Sequence, residues 1–357
     1  MIRQIARLAR PVPALSPNAI AIAVYADAKG QFITAQEAGF EGVACVDDAA
    51  RALQLYCALW SRTGLAWAKE WCDGLVDFIL AMQRDDGRWC NFIKDWGGDI
   101  NADTRTSVAG GHFWHARAML ALANGRTYFD DERIEDALRR GATHLDDVEV
   151  PADVRALHVL TAIALRGQDP RLDFSTITTW CDEIAECRSG DVLMNSPDET
   201  GRPHLWGHLQ EFALSRASVV LERPDFLDVA ERSASAVFDG VIRSGFDQPQ
   251  TSPYDVATSV LTMSELATTT KNLKFDELHS LAREWFHGRN SAGTPVYDVE
   301  NGRVADGIDK GCLNASSGAE SNIEGALALL NEVIVHAGTL DVESIKAPRT
   351  SNPKDLS

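Results

Sequence analysis

Residues 46–60 read VDDAARALQLYCALW, and residues 65–82, after a short loop at 61–63, read LAWAKEWCDGLVDFILAM. In both stretches apolar residues recur at i, i+3, i+4 and i+7, the period of an α-helix. They are helices of two kinds. The first is apolar or small on nearly every face, so it has to be buried on nearly every face, whereas the second carries a charged outer stripe. The same alternation runs through the chain. Segments 111–123, 154–165, 205–219, 254–266 and 319–335 repeat the first kind, and 132–145, 174–187, 226–242 and 275–286 repeat the second. Six buried helices alternating with exposed ones describe two concentric layers, an all-α (α/α)6 toroid. An open solenoid of hairpins uses the same pattern, but solenoid repeats resemble one another in sequence and these segments share only hydrophobic pattern. Residues 3–10 are the candidate for a sixth exposed helix that closes the ring.

The chain has 357 residues, 45% hydrophobic and 24% charged, with no Gly/Ser-rich or Pro-rich linker in its middle. One toroid domain over residues 1–346 is therefore expected, followed by a polar tail, 347–357, without apolar periodicity and expected to be disordered. Residues 20–25 are apolar, follow several prolines and read as a strand rather than a signal peptide. No run approaches the ~20 apolar residues that a membrane-spanning helix needs. The net charge of −18 repels phosphate backbones and anionic lipid, so neither nucleic acid nor membrane is an expected partner, and a neutral substrate suits it better than a polyanion. Seven cysteines, odd in number and never spaced CxxC, read as thiols of a reduced, cytoplasmic protein with no disulfide framework and no zinc site.

The longest loops, 83–110, 188–204 and 289–318, each lead from an exposed helix into the next buried one, and loops this long in a compact domain tend to be functional. The last contains TPVYDVENGRVADGI, two alternating runs around Asn301-Gly302 that predict a small β-hairpin. Loops on one side place a cleft over the N-termini of the buried helices, where unpaired N–H groups and partial positive charge suit hydroxyls and carboxylates. Acids gather there. Asp47 and Asp48 open the first buried helix, Glu211 is early in the fourth, Asp255 opens the fifth, and Glu320 with Glu324 lies in the sixth. Glycoside cleavage requires two carboxyl groups across the scissile bond, one kept protonated and one ionised. Acids at helix starts also serve simply as caps, and Asp47 with Arg51, four residues on, also fits a buried ion pair.

Aromatic residues fall where a sugar cleft would use them: Trp89, Phe92, Trp96, Phe113, Trp114, Trp206 and Tyr254 lie in the long loops or at the starts of buried helices. Their flat faces stack on pyranose rings. His204, His208 and Glu211 share a helical face by spacing, and His112 and His115 are three apart. Neither set matches a metalloprotease pattern, so sugar contacts or proton transfer are preferred and no metal or other cofactor is expected.

Four segments then define a resemblance. TAQEAGFEGVACVDDAARALQLY resembles the GYC-DDNARAL segment of helical-toroid domains fused behind bacterial glycosyltransferases. QRDDGRWCNFI is similar to their DGRFRNF, HARAMLALA to their HGRALWALG, and LNASSGAESNIEGALALL to their NQGAESTLAFLLAL. The four occur in the same order and span about residues 34 to 330. The resemblance implies a six-hairpin glycosidase-like fold and a carbohydrate context, without a defined reaction. It also implies that any glycosyltransferase partner acts in trans. One departure stands out: where that family has a Glu-Asp pair ahead of its HGR, this chain has His112-Phe113 ahead of His115-Ala116-Arg117, which moves the catalytic role to Asp103 or His112 or removes it.

The reading that results is a carbohydrate-active enzyme, a glycoside hydrolase acting on an oligosaccharide, polysaccharide or glycoconjugate. Its catalytic pair is Asp47 or Asp48 with one of Glu211, Asp255 and Glu320. Arg51, Trp89, Asp103, His112, Trp114, His115, Trp206, His208 and Tyr254 line the substrate cleft. Two alternatives stand beside it. A lyase or epimerase on uronic-acid units would use His112, His208 or Tyr254, with Arg51, Arg105 and Arg117 facing the cleft. A sugar-binding module on the same fold would have no reaction at all.

Overall fold

The computed structural model describes residues 1–33, 41–146, 150–167, 169 and 171–349. The chain divides into two compact units interleaved in sequence. The first is formed by Met1–Asp146, Asp298–Ala305 and the chain from Ala315 onward, and the second by Asp147–Tyr297 and Asp306–Asn314.

The first unit contains α1 (Ile2–Leu8), α2 (Val46–Thr63), α3 (Ala66–Ala81), α4 (His112–Gly125) and α5 (Glu132–Gly141). The second contains α6 (Ala152–Ala164), α7 (Phe174–Glu186), α8 (Gln210–Val220), α9 (Pro224–Val237), α10 (Asp239–Arg243), α11 (Pro253–Thr270) and α12 (Leu273–Glu284). Back in the first unit the chain forms α13 (Ala319–Ala328), α14 (Leu330–Ala337) and α15 (Val342–Ile345).

In the first unit α2 packs against α3, α4 and α13, while α5 lies on α4 and α1 lies on α13. The helix expected over residues 3–10 is α1, but it ends at Leu8, where β1 begins, and only Arg7 of it is exposed. A run of short antiparallel pairings leads into α2. Strand β1 (Ala9–Pro11) pairs with β2 (Ile20–Ile22), Ala23 bridges Ala44, and β3 (Ala44–Cys45) pairs with β4 (Phe92–Ile93). Gly42 permits that last approach, since a Cβ there would stand 2.3 Å from the Ile93 carbonyl oxygen. Between α2 and α3, Tyr56 stacks on Trp71 with ring centroids 4.6 Å apart. Residues 319–335, read as one helix, are two: Leu329, at ψ +27°, ends α13 before α14 begins. The expected tail starts later than residue 347, because Ala347 is buried and Arg349 pairs with Glu70 at 2.9 Å. The rest of that tail, 350–357, lies outside the described residues, as do residues 34–40 of the first family-like segment.

In the second unit α8 packs against α6 and α11, and the outer helices α7, α9 and α12 pair with α6, α8 and α11. Strands β5 (Arg188–Ser189) and β6 (Val192–Leu193) form a hairpin in the loop before α8. The helix expected from residue 205 starts only at Gln210. Gly207 adopts φ +70° and donates its N–H to Thr258 Oγ1, which takes residues 205–209 out of helical geometry.

The hairpin expected around Asn301-Gly302 is present, pairing β8 (Tyr297–Asp298) with β9 (Arg303–Val304). A further hairpin, not expected, follows: β10 (Gly307–Asp309) pairs with β11 (Cys312–Asn314) and with β7 (Gln250–Thr251). Its two-residue turn, Lys310-Gly311, has both φ values positive, as a tight hairpin turn requires. No helix among the described residues is long and apolar enough to cross a membrane.

Candidate functional site

In the first unit, α2 begins at the end of the β3–β4 pairing. Cys45 is its N-cap, in extended conformation, and its Sγ accepts the Asp48 N–H at 3.4 Å. Asn91, next to β4, accepts the Asp47 N–H on Oδ1 at 3.1 Å. Asp47 and Asp48 are thereby fixed in the first turn, where the helix dipole favours negative charge.

Arg51 sits one turn later and is the hub of a carboxylate cluster. Its Nη2 donates to Asp48 Oδ1 at 2.7 Å, and its Nη1 donates to Glu320 Oε2 at 3.0 Å and Glu324 Oε1 at 3.1 Å. The expected Asp47–Arg51 side-chain pair does not form. Arg51 reaches Asp47 only at its backbone carbonyl, and the Asp47 carboxylate pairs with Arg117 of α4 at 2.8 Å. The guanidinium of Arg117 also lies over the Phe113 ring, 4.7 Å from its centre. Four carboxyl groups from α2 and α13 thus share two guanidinium groups.

Burial differs within the cluster. Asp48, Arg51 and Glu324 are enclosed, whereas the Glu320 side chain is 46% exposed. Asp48 Oδ2 and Asp47 Oδ1 are buried and accept no hydrogen bond among the described residues. Burial, only partly offset by Arg51, pushes the Asp48 carboxyl up to about 6 and the Glu324 carboxyl up to about 7. Glu320 adds to both shifts as a neighbouring negative charge. Tyr25, half-buried beside this cluster, is pushed up by burial and by the charges of Cys45, Asp48, Glu41 and Glu320. Nothing in its sequence context marks Tyr25. Glu324 was legible as the residue one helical turn after Glu320.

Other expected cleft residues of this unit are placed differently. Trp89 is fully buried and donates its indole N–H to the Ile79 carbonyl at 2.8 Å. His115 is buried against Trp89 and contacts the Gly141 carbonyl at 3.2 Å. Trp114 is half-buried, its indole N–H on the Trp89 carbonyl at 2.9 Å. Asp103 and His112 are exposed, Asp103 with Lys94 3.8 Å away.

The second unit holds Glu211 and Asp255. Glu211 and His208 are both fully buried, and Glu211 Oε1 receives Ser233 Oγ at 2.5 Å and meets His208 Nε2 at 3.1 Å. His208 Nδ1 contacts Asn195 Oδ1 at 2.6 Å, an oxygen that also accepts from Gln210. Asp255 closes a capping box with Ser252 at the start of α11. Trp206 is 39% exposed, stacks on His204 at 3.8 Å and lies 6.4 Å from the Tyr254 ring.

No family model and no curated protein match the chain. Solved structures do. A D-mannose isomerase aligns with 95% of this chain and 96% of its own at 12% identity and a TM-score of 0.68. A sugar epimerase from a ruminal bacterium aligns with 91% and 94% at 12% identity and a TM-score of 0.65. A GH76 α-mannanase from Bacteroides thetaiotaomicron aligns with 84% and 89% at 12% identity and a TM-score of 0.56. These neighbours share the six-hairpin glycosidase-like (α/α)6 fold, and that is the fold class of this chain. They are carbohydrate enzymes of different reaction types, so the fold leaves the reaction to be argued from the side chains.

Proposed function

We propose that this chain is a carbohydrate-active enzyme that hydrolyses glycosidic bonds with Asp48 and Glu320. The observation that carries the reading is their common attachment to Arg51. One is a buried carboxyl pushed up to about 6, the other a carboxylate reaching solvent. Arg51 holds Asp48 by Oδ1, which leaves Oδ2, itself shut off from solvent, to carry the proton that passes to the leaving glycosidic oxygen once sugar binding displaces the side chains over it. Glu320 faces the anomeric carbon as carboxylate, stabilising the developing positive charge or drawing a proton from the attacking water. Asp47, held by Arg117, offers its second oxygen to a sugar hydroxyl once the same displacement uncovers it.

A second reading, isomerisation or epimerisation of a free sugar, is favoured by the isomerase and epimerase folds and by Glu324. A carboxyl near about 7 suits proton transfer at the carbon beside a carbonyl.

One experiment separates them. Purified protein and its Asp48→Asn variant are offered an oligosaccharide panel with reducing-end detection, and free aldoses in D2O with NMR detection at C2. New reducing ends that vanish in Asp48→Asn support hydrolysis. Deuterium at C2 without bond cleavage replaces it with the second reading, and sugar binding with neither product leaves a binding module.

A further inference from the structure

Cys57 of α2 and Cys72 of α3 meet inside the first unit, and neither takes part in the proposed reaction. Gly64, at φ +68°, ends α2, and after Leu65 the chain folds back as α3 onto the helix it has just left. Tyr56 and Trp71, one residue earlier on each helix, stack with 3° between planes and hold the two helices side by side. The next residue on each helix is a cysteine. Both are buried, and their sulfurs stand 3.6 Å apart. Among the described residues this is the one hydrogen-bonding contact between two cysteine sulfurs. Cys45 Sγ accepts the Asp48 N–H instead, and Cys187 Sγ donates to the Met194 carbonyl. A disulfide holds its sulfurs about 2.05 Å apart, so an approach of about 1.6 Å separates this thiol pair from a bond.

We propose that Cys57 and Cys72 are a site of reversible oxidation, joined by hydrogen peroxide into a disulfide that ties α2 to α3. Peroxide oxidises one thiol to a sulfenic acid and releases one water. The second sulfur then attacks the first, forms the S–S bond and expels a second water. The two thiols lose two electrons and two protons in all, and a dithiol reductant returns both. Attack on peroxide needs a thiolate. The Cys57 contact and burial push the Cys72 thiol up, so the pair reacts through brief openings of the hairpin and more slowly than the exposed Cys312. Once made, the bond closes a loop spanning 15 positions of sequence and removes freedom from the unfolded chain. The inference stands independently of the carbohydrate reading.

The test is peptide mapping of the full-length chain after peroxide treatment in native buffer and alkylation of the remaining thiols. The wild type is run beside Cys187→Ser/Cys312→Ser, which lacks the two more accessible cysteines. Trypsin cuts after Arg51, Arg62, Lys69 and Arg84. The expected product is therefore peptide 52–62 joined to peptide 70–84, two hydrogens lighter than their sum and split by dithiothreitol. The joined form is expected to melt about 5 °C above the reduced form, a gain that Cys57→Ala/Cys72→Ala should not show. Peptides 52–62 and 70–84 recovered separately, or each joined to another cysteine, overturn the proposal. A link that appears only after unfolding in urea overturns it too, because the native hairpin then does not bring the sulfurs together. An unchanged or lowered Tm in the joined form removes the bracing of α2 by α3.

Discussion

Arg51 Nη1 stands 3.1 Å from Glu324 Oε1, a buried ion pair between residues 273 positions apart in sequence. It joins the start of α2 to α13 and is shared with Asp48 and Glu320. Removing one member of such a cluster leaves buried charge uncompensated, a cost of about 3–5 kcal/mol. Arg51→Ala is therefore expected to lose stability of that order near about pH 8 and less near about pH 5, where protons can neutralise Asp48 and Glu324 instead. Urea denaturation at both pH values measures it. An equal loss at the two would show that the cluster's charge is not what Arg51 balances.

The wild type has its own pH dependence. Asp48 rises from 3.8 to about 6 and Glu324 from 4.5 to about 7 on folding, so the native chain binds more protons than the unfolded chain within that window. Stability from these two groups is complete below their unfolded values and is lost as pH rises through the folded ones. The double variant Asp48→Asn/Glu324→Gln is expected to flatten that part of a stability–pH curve. A curve of unchanged slope places the proton uptake elsewhere.

Turnover should follow the same proton. If Asp48 is the acid, kcat/KM declines as pH rises through about 6, because the deprotonated carboxyl has nothing to donate. A pH–rate profile on a cleaved oligosaccharide is the measurement. Rates that climb through that region instead would assign Asp48 the role of base.

Much of this was legible in the sequence, because helix periodicity and helix starts are local properties. The alternation of helix types carried the fold class, and the Asp-Asp pair at the start of α2 supplied half of the carboxyl groups clustered around Arg51 and Arg117. What failed was long-range or depended on one backbone angle. The partner of Asp47 is Arg117 on another hairpin, a contact that i,i+4 spacing to Arg51 concealed. The break at Leu329 lies inside an unbroken apolar run. His204 and His208 looked like one helical face until Gly207, at φ +70°, unwound it. Trp89 looked like a cleft aromatic in a long loop, yet its indole turns back onto the end of α3.

Gly74 tests the packing of the first unit. In an exposed helix interior, alanine improves on glycine by about 0.8–1 kcal/mol. Here a Cβ would stand 2.2 Å from Ile20 Cδ1 and 2.6 Å from its Cγ1, so either the Ile20 side chain must turn away or α3 must move off β2. Gly74→Ala is expected to destabilise by about 1–3 kcal/mol despite its better helix propensity, read as a lowered urea midpoint. Adding Ile20→Val should recover part of the loss. A stabilised Gly74→Ala would mean that the Ile20 side chain yields without cost and that this contact does not fix α3 against β2.

Glu211 separates structural from catalytic acids. Ser233 Oγ accepts the Leu193 N–H at 2.9 Å, so its own hydrogen points to Glu211. Asn195 Nδ2 donates to the His204 carbonyl, which fixes its oxygen toward His208 Nδ1 and places a hydrogen there. The His208–Glu211 contact then lies inside a buried network that ties β6, α8 and α9 together, with Glu211 Oε2 accepting no hydrogen bond among the described residues. Glu211→Ala leaves that network open in the core and is expected to cost about 3–5 kcal/mol. Glu211→Gln keeps the shape and can still bond His208 or Ser233, so it should cost less. The folded fraction of Glu211→Gln is expected to keep its specific activity, assayed beside thermal unfolding of the same preparation. Full stability with activity lowered about a hundredfold or more would make Glu211 a participant in the chemistry and move the acid pair away from Asp48 and Glu320.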